Sequence, residues 1–187
     1  MAIDGGTLVV GASGKYEYPT TPFQSGVAYV FQIPDGGATY EQVAKLTASD
    51  AMESALFGNS VAIEGDTVVV GAYYHGDDSS GSAYVFRTTD GGATYGQVAK
   101  LTAADAAGND LFGTSVAIAG DTIVVGSPYD DDAGSGSGSA YVFSPPALDE
   151  NSTPQPSTAA LGSDSATRAC GTLATALLAF AATALAL

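Results

Sequence analysis

Carboxylates dominate the side chains that could do chemistry in this chain: 20 Asp and Glu stand against 5 Lys and Arg, for a net charge of -15. The densest runs are Asp77-Asp78 and Asp130-Asp131-Asp132, each beside Gly and Ser. Two chemistries use such residues. Paired carboxylates serve as acid, base or nucleophile in glycoside cleavage, and clustered ones hold a cation. No pair is distinguished by spacing or setting, and a solvated acidic face accounts for the inventory, so no catalytic residue, metal site or cofactor is assigned. His75, between Tyr74 and Gly76, is the only histidine. A His-based general base or a His metal cluster therefore has little to draw on, and His75 itself is expected to be exposed. Cys170 is the only cysteine and is silent about redox compartment. The acidic balance argues against nucleic acid or an anionic lipid surface as a partner.

These residues sit in a repeat. Ala44–Ala72 and Ala99–Ser127 are identical at 20 of 29 positions, and Phe57-Gly58 and Phe112-Gly113 lie 55 residues apart, as do Tyr29-Val30-Phe31 and Tyr84-Val85-Phe86. A period near fifty residues is the mark of a propeller or a similar array. Within a unit four short runs recur, rich in Val, Ile, Tyr and Phe and separated by Gly, Asp, Ser and Thr: Ser60–Ile63, Thr67–Ala72, Ala83–Phe86 and Gln97–Leu101. The second run is apolar at consecutive positions, as in a strand buried on both faces. Four antiparallel strands per unit, stacked on their neighbours, make a propeller blade.

The connections differ. Strands one and two of a unit are joined by the tight turns Glu64-Gly65-Asp66 and Ala119-Gly120-Asp121. Strands two and three are joined by loops of variable length. In an up-and-down sheet those loops share one end with the connections from strand four to the next unit. That end gathers Asp50, Glu53, Asp77, Asp78, Asp105, Asp110 and Asp130–Asp132. Variable loops on a rigid scaffold are where binding concentrates, so Asp77, Asp78, Asp130, Asp131 and Asp132 are the candidate ligand-facing residues.

The fold expected is all-β: a partial β-propeller of about three four-stranded antiparallel blades, followed by a disordered stalk and an apolar C-terminal helix. The blades occupy residues 1–143, in units of about 1–50, 51–105 and 106–143, the last without a fourth strand of its own. Ala2–Ala12 matches Ala62–Ala72 in part, so Met1 enters inside a unit. Three blades do not close a ring, since closed propellers take four to eight. Met1 is therefore expected to be internal to a longer chain.

Residues 144–168 are rich in Pro, Ser and Thr and read as an extended stalk, with Asn151 in a glycosylation sequon. Residues 169–187 form an uncharged, apolar tail. Small residues, a short spacer and a terminal apolar run resemble a GPI-attachment signal, with Ser163 the attachment candidate. The alternative is a plain C-terminal membrane anchor.

The unit Phe57-Gly58, Ser60–Ile63, Gly65-Asp66-Thr67, Gly71-Ala72 resembles the FG-GAP repeat, the blade of the integrin alpha-subunit propeller, and the resemblance covers Ala2 to Phe143. It implies a seven-bladed propeller, extracellular placement and partner binding on the loop end described above. Integrin blades that bind calcium carry an Asp-rich loop of about nine residues between strands one and two. The turns here are too short to supply the oxygens calcium prefers, so that site is not carried over. Thr88–Tyr95 looks like an Asp box, the turn that fastens sialidase and related propellers, where its role is structural. A sialidase would need an arginine cluster for its substrate carboxylate, and only Arg87 and Arg168 are present.

Together these readings describe a non-catalytic recognition or adhesion module on the outer side of the cell membrane. It would bind an extracellular protein or glycan through acidic blade loops and be held to the membrane by its tail, with self-association possible. Two alternatives stand beside it. The blades could be the accessory propeller of an extracellular enzyme whose catalytic domain lies upstream of Met1, or a self-assembling structural coat.

Overall fold

The computed structural model describes residues 1–14, 25–33, 37, 39–76 and 78–144, and the backbone of 159–161. The expected stalk apart from 144 and 159–161, the C-terminal helix, Asn151, Ser163 and Asp77 lie outside the described residues. No helix among the described residues is long and apolar enough to cross a membrane.

Among the described residues, twelve strands form three antiparallel sheets of four. Blade 1 comprises β1 (Ala2–Asp4), β2 (Thr7–Ala12), β3 (Val27–Gln32) and β4 (Glu41–Leu46). Blade 2 comprises β5 (Ser60–Glu64), β6 (Thr67–Ala72), β7 (Ser82–Arg87) and β8 (Gly96–Leu101). Blade 3 comprises β9 (Ser115–Ala119), β10 (Thr122–Ser127), β11 (Ser139–Phe143) and β12 (Ala159–Leu161). Each sheet follows chain order, β1-β2-β3-β4, β5-β6-β7-β8 and β9-β10-β11-β12. This is the up-and-down order the recurring runs predict.

The third blade departs from expectation in one respect. It does have a fourth strand, taken from within the stretch read as stalk: Ala140, Tyr141 and Val142 pair with Leu161, Ala160 and Ala159. Strand β11 presents an edge of unpaired backbone groups, and the Ala-Ala-Leu run has no proline to interrupt the ladder. Composition hid this short pairing because the surrounding Pro, Ser and Thr outweigh it.

Packing follows from the strand patterns. All six residues of β6 are buried, because blade 2 lies between the other two. Val9, Ala28 and Val30 of blade 1 meet Val68, Val70, Tyr84 and Phe86 in one core. Val69, Val85 and Ala83 meet Ile123, Val125, Tyr141 and Phe143 in the other. Phe57 and Phe112 plug these two cores, at 1% and 0% exposure. The residue three before each Phe and the one directly before it are held in the left-handed region: Ser54 at φ 63° and Leu56 at φ 54°, Asn109 at φ 69° and Leu111 at φ 57°. A residue with a Cβ carries strain there, Leu more than Asn. The strain recurs because both loops must turn the ring inward at the same point.

The Asp-box turn is fastened as its residue types suggest. Thr88 Oγ1 donates to Asp90 Oδ1 at 2.7 Å, while the Thr94 amide and hydroxyl donate to the same carboxylate at 2.9 and 2.6 Å. The Thr94 and Thr88 hydrogen bonds hold the Asp90 carboxyl down at about 2. Tyr95 packs beneath the turn against the core between blades 1 and 2.

Candidate functional site

The loop end of blades 2 and 3 is built on one plan from residues at equivalent repeat positions. In blade 2, Asp50 arrives on the connection from β4 to β5, and Tyr84 of β7 donates its phenol to Asp50 Oδ1 at 2.8 Å. Lys100 of β8, the cross-strand neighbour of Tyr84, reaches Asp50 Oδ2 with its ammonium at 2.6 Å. His75, from the loop between β6 and β7, completes the group with Nε2 at 3.5 Å from Asp50 Oδ2. Burial pushes the Asp50 carboxyl up, but hydrogen bonds from Lys100 and Tyr84 and the nearby cationic groups outweigh it and hold the carboxyl below its usual value. Burial, then the contact with Asp50, pushes the Tyr84 phenol far up.

His75 corrects the sequence reading. It is 7% exposed, with Nδ1 3.3 Å from Ser82 Oγ and its ring edge-on to Tyr84 at 5.9 Å. A loop of Gly, Asp and Ser suggests exposure. The ring turns inward because Tyr84, Ser82 and Asp50 offer it both an apolar wall and polar partners.

In blade 3 the same framework carries carboxylates, with no lysine beside them among the described residues. Asp105 stands in the place of Asp50, and the Tyr141 phenol is 2.8 Å from Asp105 Oδ1. Asp130 occupies the place of His75, with Oδ2 2.5 Å from the same phenol. Across the strands from Tyr141 stands Ala160 rather than a lysine. The positions of Lys100 and His75 in blade 2 are thus held by Ala160 and Asp130 in blade 3. Asp132 joins them, so that Asp105, Asp130 and Asp132 place ligand oxygens within 4.8 Å of one another. The consequence is electrostatic. Its contact with the Asp105 carboxyl, then burial, pushes the Asp132 carboxyl up. Asp110, 4% exposed beside this group, is pushed up by burial and by the charges of Asp130, Asp131 and Asp105, despite the opposing Ala107 amide bond. Chemically the cluster can share protons or bridge a hard cation, with further oxygens from water or backbone.

This arrangement predicts an inverted pH response. A carboxyl whose pKa is raised on folding binds its proton more tightly in the fold than in the unfolded chain, so stability falls as pH rises through the carboxylate range. Asp132→Asn removes that penalty. Thermal melts should show a higher midpoint than wild type at pH 7 and no difference at pH 3. A lower midpoint at pH 7 would show that the Asp132 charge supports the fold.

The candidate ligand-facing residues do not play equal parts. Asp78 is fastened into its own loop, where Oδ1 accepts the Ser80 amide at 3.1 Å and its carbonyl accepts the Asn109 amide at 2.9 Å. Hydrogen bonds from Ser80 lower its carboxyl. Asp130 is buried at 2% exposure, whereas Asp131 and Asp132 are exposed. Asp131 borders an open cleft of about 460 Å³ between the loops of blades 2 and 3. Tyr74, Tyr129 and Asn109 line the same cleft, and the two tyrosines are 43% and 62% exposed. Charge alone did not single out these aromatics. Their equivalence, 55 residues apart at the start of successive variable loops, was the available signal.

Stacked four-stranded antiparallel sheets, with their variable loops gathered at one end, define the blades of a β-propeller-like module. A family model of the FG-GAP repeat matches residues 40–86 and again 95–143. The two matches cover just over half of the sequence, and the chain belongs to the FG-GAP repeat family. No curated protein matches the chain.

Proposed function

We propose that this chain is a non-catalytic recognition module at the cell surface, binding an extracellular protein or glycan through the loop end of its blades. The observation that carries the reading is the cleft between blades 2 and 3. Two exposed tyrosines there offer flat apolar faces, while Asn109 and Asp131 offer polar groups at the rim. Aromatic faces beside amide and carboxylate groups suit a sugar ring or a basic peptide segment, since tyrosine gives large contact area at small entropic cost. Placement outside the cell rests on the family and on the tail, which would hold the module to the membrane.

A glycan array together with a panel of basic extracellular peptides, probed with the full chain, tests this. Tyr129→Ala should abolish the signal while leaving the thermal midpoint unchanged, because its ring is mostly in solvent. Binding that survives Tyr129→Ala, or silence across both panels, would overturn the reading.

A further inference from the structure

We propose that the cleft between blades 2 and 3 receives a neutral pyranose ring of a glycan, one without carboxylate, sulfate or free amine. The inference rests on the reading of that cleft as the binding site and names the chemistry of what it binds. The cleft measures about 460 Å³, within the range of roughly 300–1,000 Å³ that suits a small ligand. Two aromatic rings line it, Tyr74 from the loop after β6 and Tyr129 from the loop after β10. Tyr73 backs the first of them, with ring centroids 4.7 Å apart. A pyranose presents a face of C–H groups and a rim of hydroxyls, and a tyrosine ring supplies the flat apolar partner for such a face.

The polar groups of the cleft distinguish a sugar from a cation. Asn109, Asp131 and Ser135 line it beside the tyrosines, and all three are exposed. A carboxylate only accepts hydrogen bonds, whereas an amide and a hydroxyl both donate and accept. An ammonium or guanidinium group only donates, so it satisfies Asp131 and leaves the Asn109 amide protons without an acceptor. A sugar hydroxyl donates to one neighbour and accepts from another, so adjacent hydroxyls match Asp131 and Asn109 together. The charges nearby exclude acidic sugars. Asp105, Asp130 and Asp132 place oxygens within 4.8 Å of one another, and contact with Asp105, then burial, pushes the Asp132 carboxyl up. A further carboxylate or sulfate beside Asp131 meets that field as a like charge.

Bonds outside the cleft hold these groups in place. The Asn109 amide donates to the Asp78 carbonyl at 2.9 Å, and the Tyr129 amide to the Asp110 carbonyl at 3.4 Å. Tyr74 is anchored through its own amide, 3.3 Å from the Ala55 carbonyl. Next to Asp131, the buried Asp130 carboxylate accepts the Tyr141 phenol and the Asp132 amide, while the Asp130 carbonyl accepts the Gly138 amide at 2.9 Å. A small ligand gains most from such fixed partners, because little loop ordering is left to oppose its binding.

The probes are the methyl pyranosides of glucose, galactose and mannose, the uronic acid counterpart of each, and a lysine-rich peptide. Each is titrated into the isotope-labelled full chain and followed by amide chemical shifts. At least one neutral pyranoside is expected to shift Tyr74, Asn109, Tyr129 and Asp131. Its uronic acid counterpart should bind more weakly by roughly tenfold or more at low salt. Asn109→Asp keeps the shape of the side chain and its tolerance of left-handed backbone, but exchanges a donor for a charged acceptor. It should weaken the neutral sugar roughly tenfold or worse, a loss of about 1.4 kcal/mol or more, whereas a cationic ligand would bind it more tightly. The comparison of each sugar with its uronic acid needs no protein variant, so the test stands even where Asn109→Asp fails to fold. The proposal is overturned if a uronic acid binds as tightly as its neutral counterpart, or if Asn109→Asp leaves the neutral affinity unchanged. Shifts at the cleft from the lysine-rich peptide alone would sink the sugar and leave the recognition reading standing, whereas silence from every probe would sink both.

Discussion

Phe112→Ala is expected to destabilise the fold by roughly 3–5 kcal/mol, the range for emptying a buried aromatic site. The ring is fully buried. It lies at 5.4 Å from the Tyr141 ring and 5.9 Å from Phe143, both nearly edge-on. It also closes the core that blade 2 shares with blade 3. The left-handed backbone at Asn109 and Leu111 is held by their own amides, which donate to the Asp78 and Ser79 carbonyls, so the loss comes from the emptied core site. Urea titration at neutral pH gives the number. A loss below about 1 kcal/mol, the ordinary size of a surface change, would place the ring outside the core.

Gly71→Ala is the second large effect, and its mechanism is the reverse: too much volume rather than too little. A Cβ at Gly71 would overlap the Gly113 carbonyl oxygen, which is backbone and cannot rotate away. Relief requires blades 2 and 3 to separate, which threatens the Ser60 to Gly113 bond and the bridge between Gly81 and Phe112. Overpacking of this kind costs roughly 1–3 kcal/mol, and backbone contact puts Gly71→Ala at the upper end. Gly126→Ala is the internal control. It occupies the same position one blade later and meets only a serine side chain that can turn, so its effect should stay within about 0.5 kcal/mol. Equal losses in the two variants, measured by thermal or urea unfolding, would show that intrinsic strand propensity rather than the junction sets the cost.

Most of the scaffold was legible because a repeat states the same instruction more than once. The runs at Ser60–Ile63 and Thr67–Ala72, the Gly65 and Gly120 turns and the Asp-box turn all fall where local pattern puts them. What escaped depends on contacts distant in sequence. A β-bulge recurs in β4 and β8, opposite Val30-Phe31 and Val85-Phe86, and leaves Val98 partly exposed, and no composition signal marks it. Burial of His75 is decided by Tyr84 and Asp50, which its own loop does not mention. The convergence of Asp105 on Asp130 and Asp132 joins two loops. It could have been read only by laying unit 3 over unit 2 and asking what replaces Lys100 and His75. Strand β12 pairs across a stretch whose composition suggests no structure.

The middle position of blade 2 has a consequence for how the molecule comes apart. In a linear stack each unit is held by its neighbours, so a unit with two neighbours opens less readily than a unit with one. Blade 2, sealed on both faces, should keep its amide hydrogens longest. Protection should fall outward toward β1 and β12, as in a short rope of three strands whose ends fray while the centre stays wound. Slow-exchanging amides confined to β6 and β7 would then date the last event of unfolding and the first of refolding to the sheet that packs between the other two.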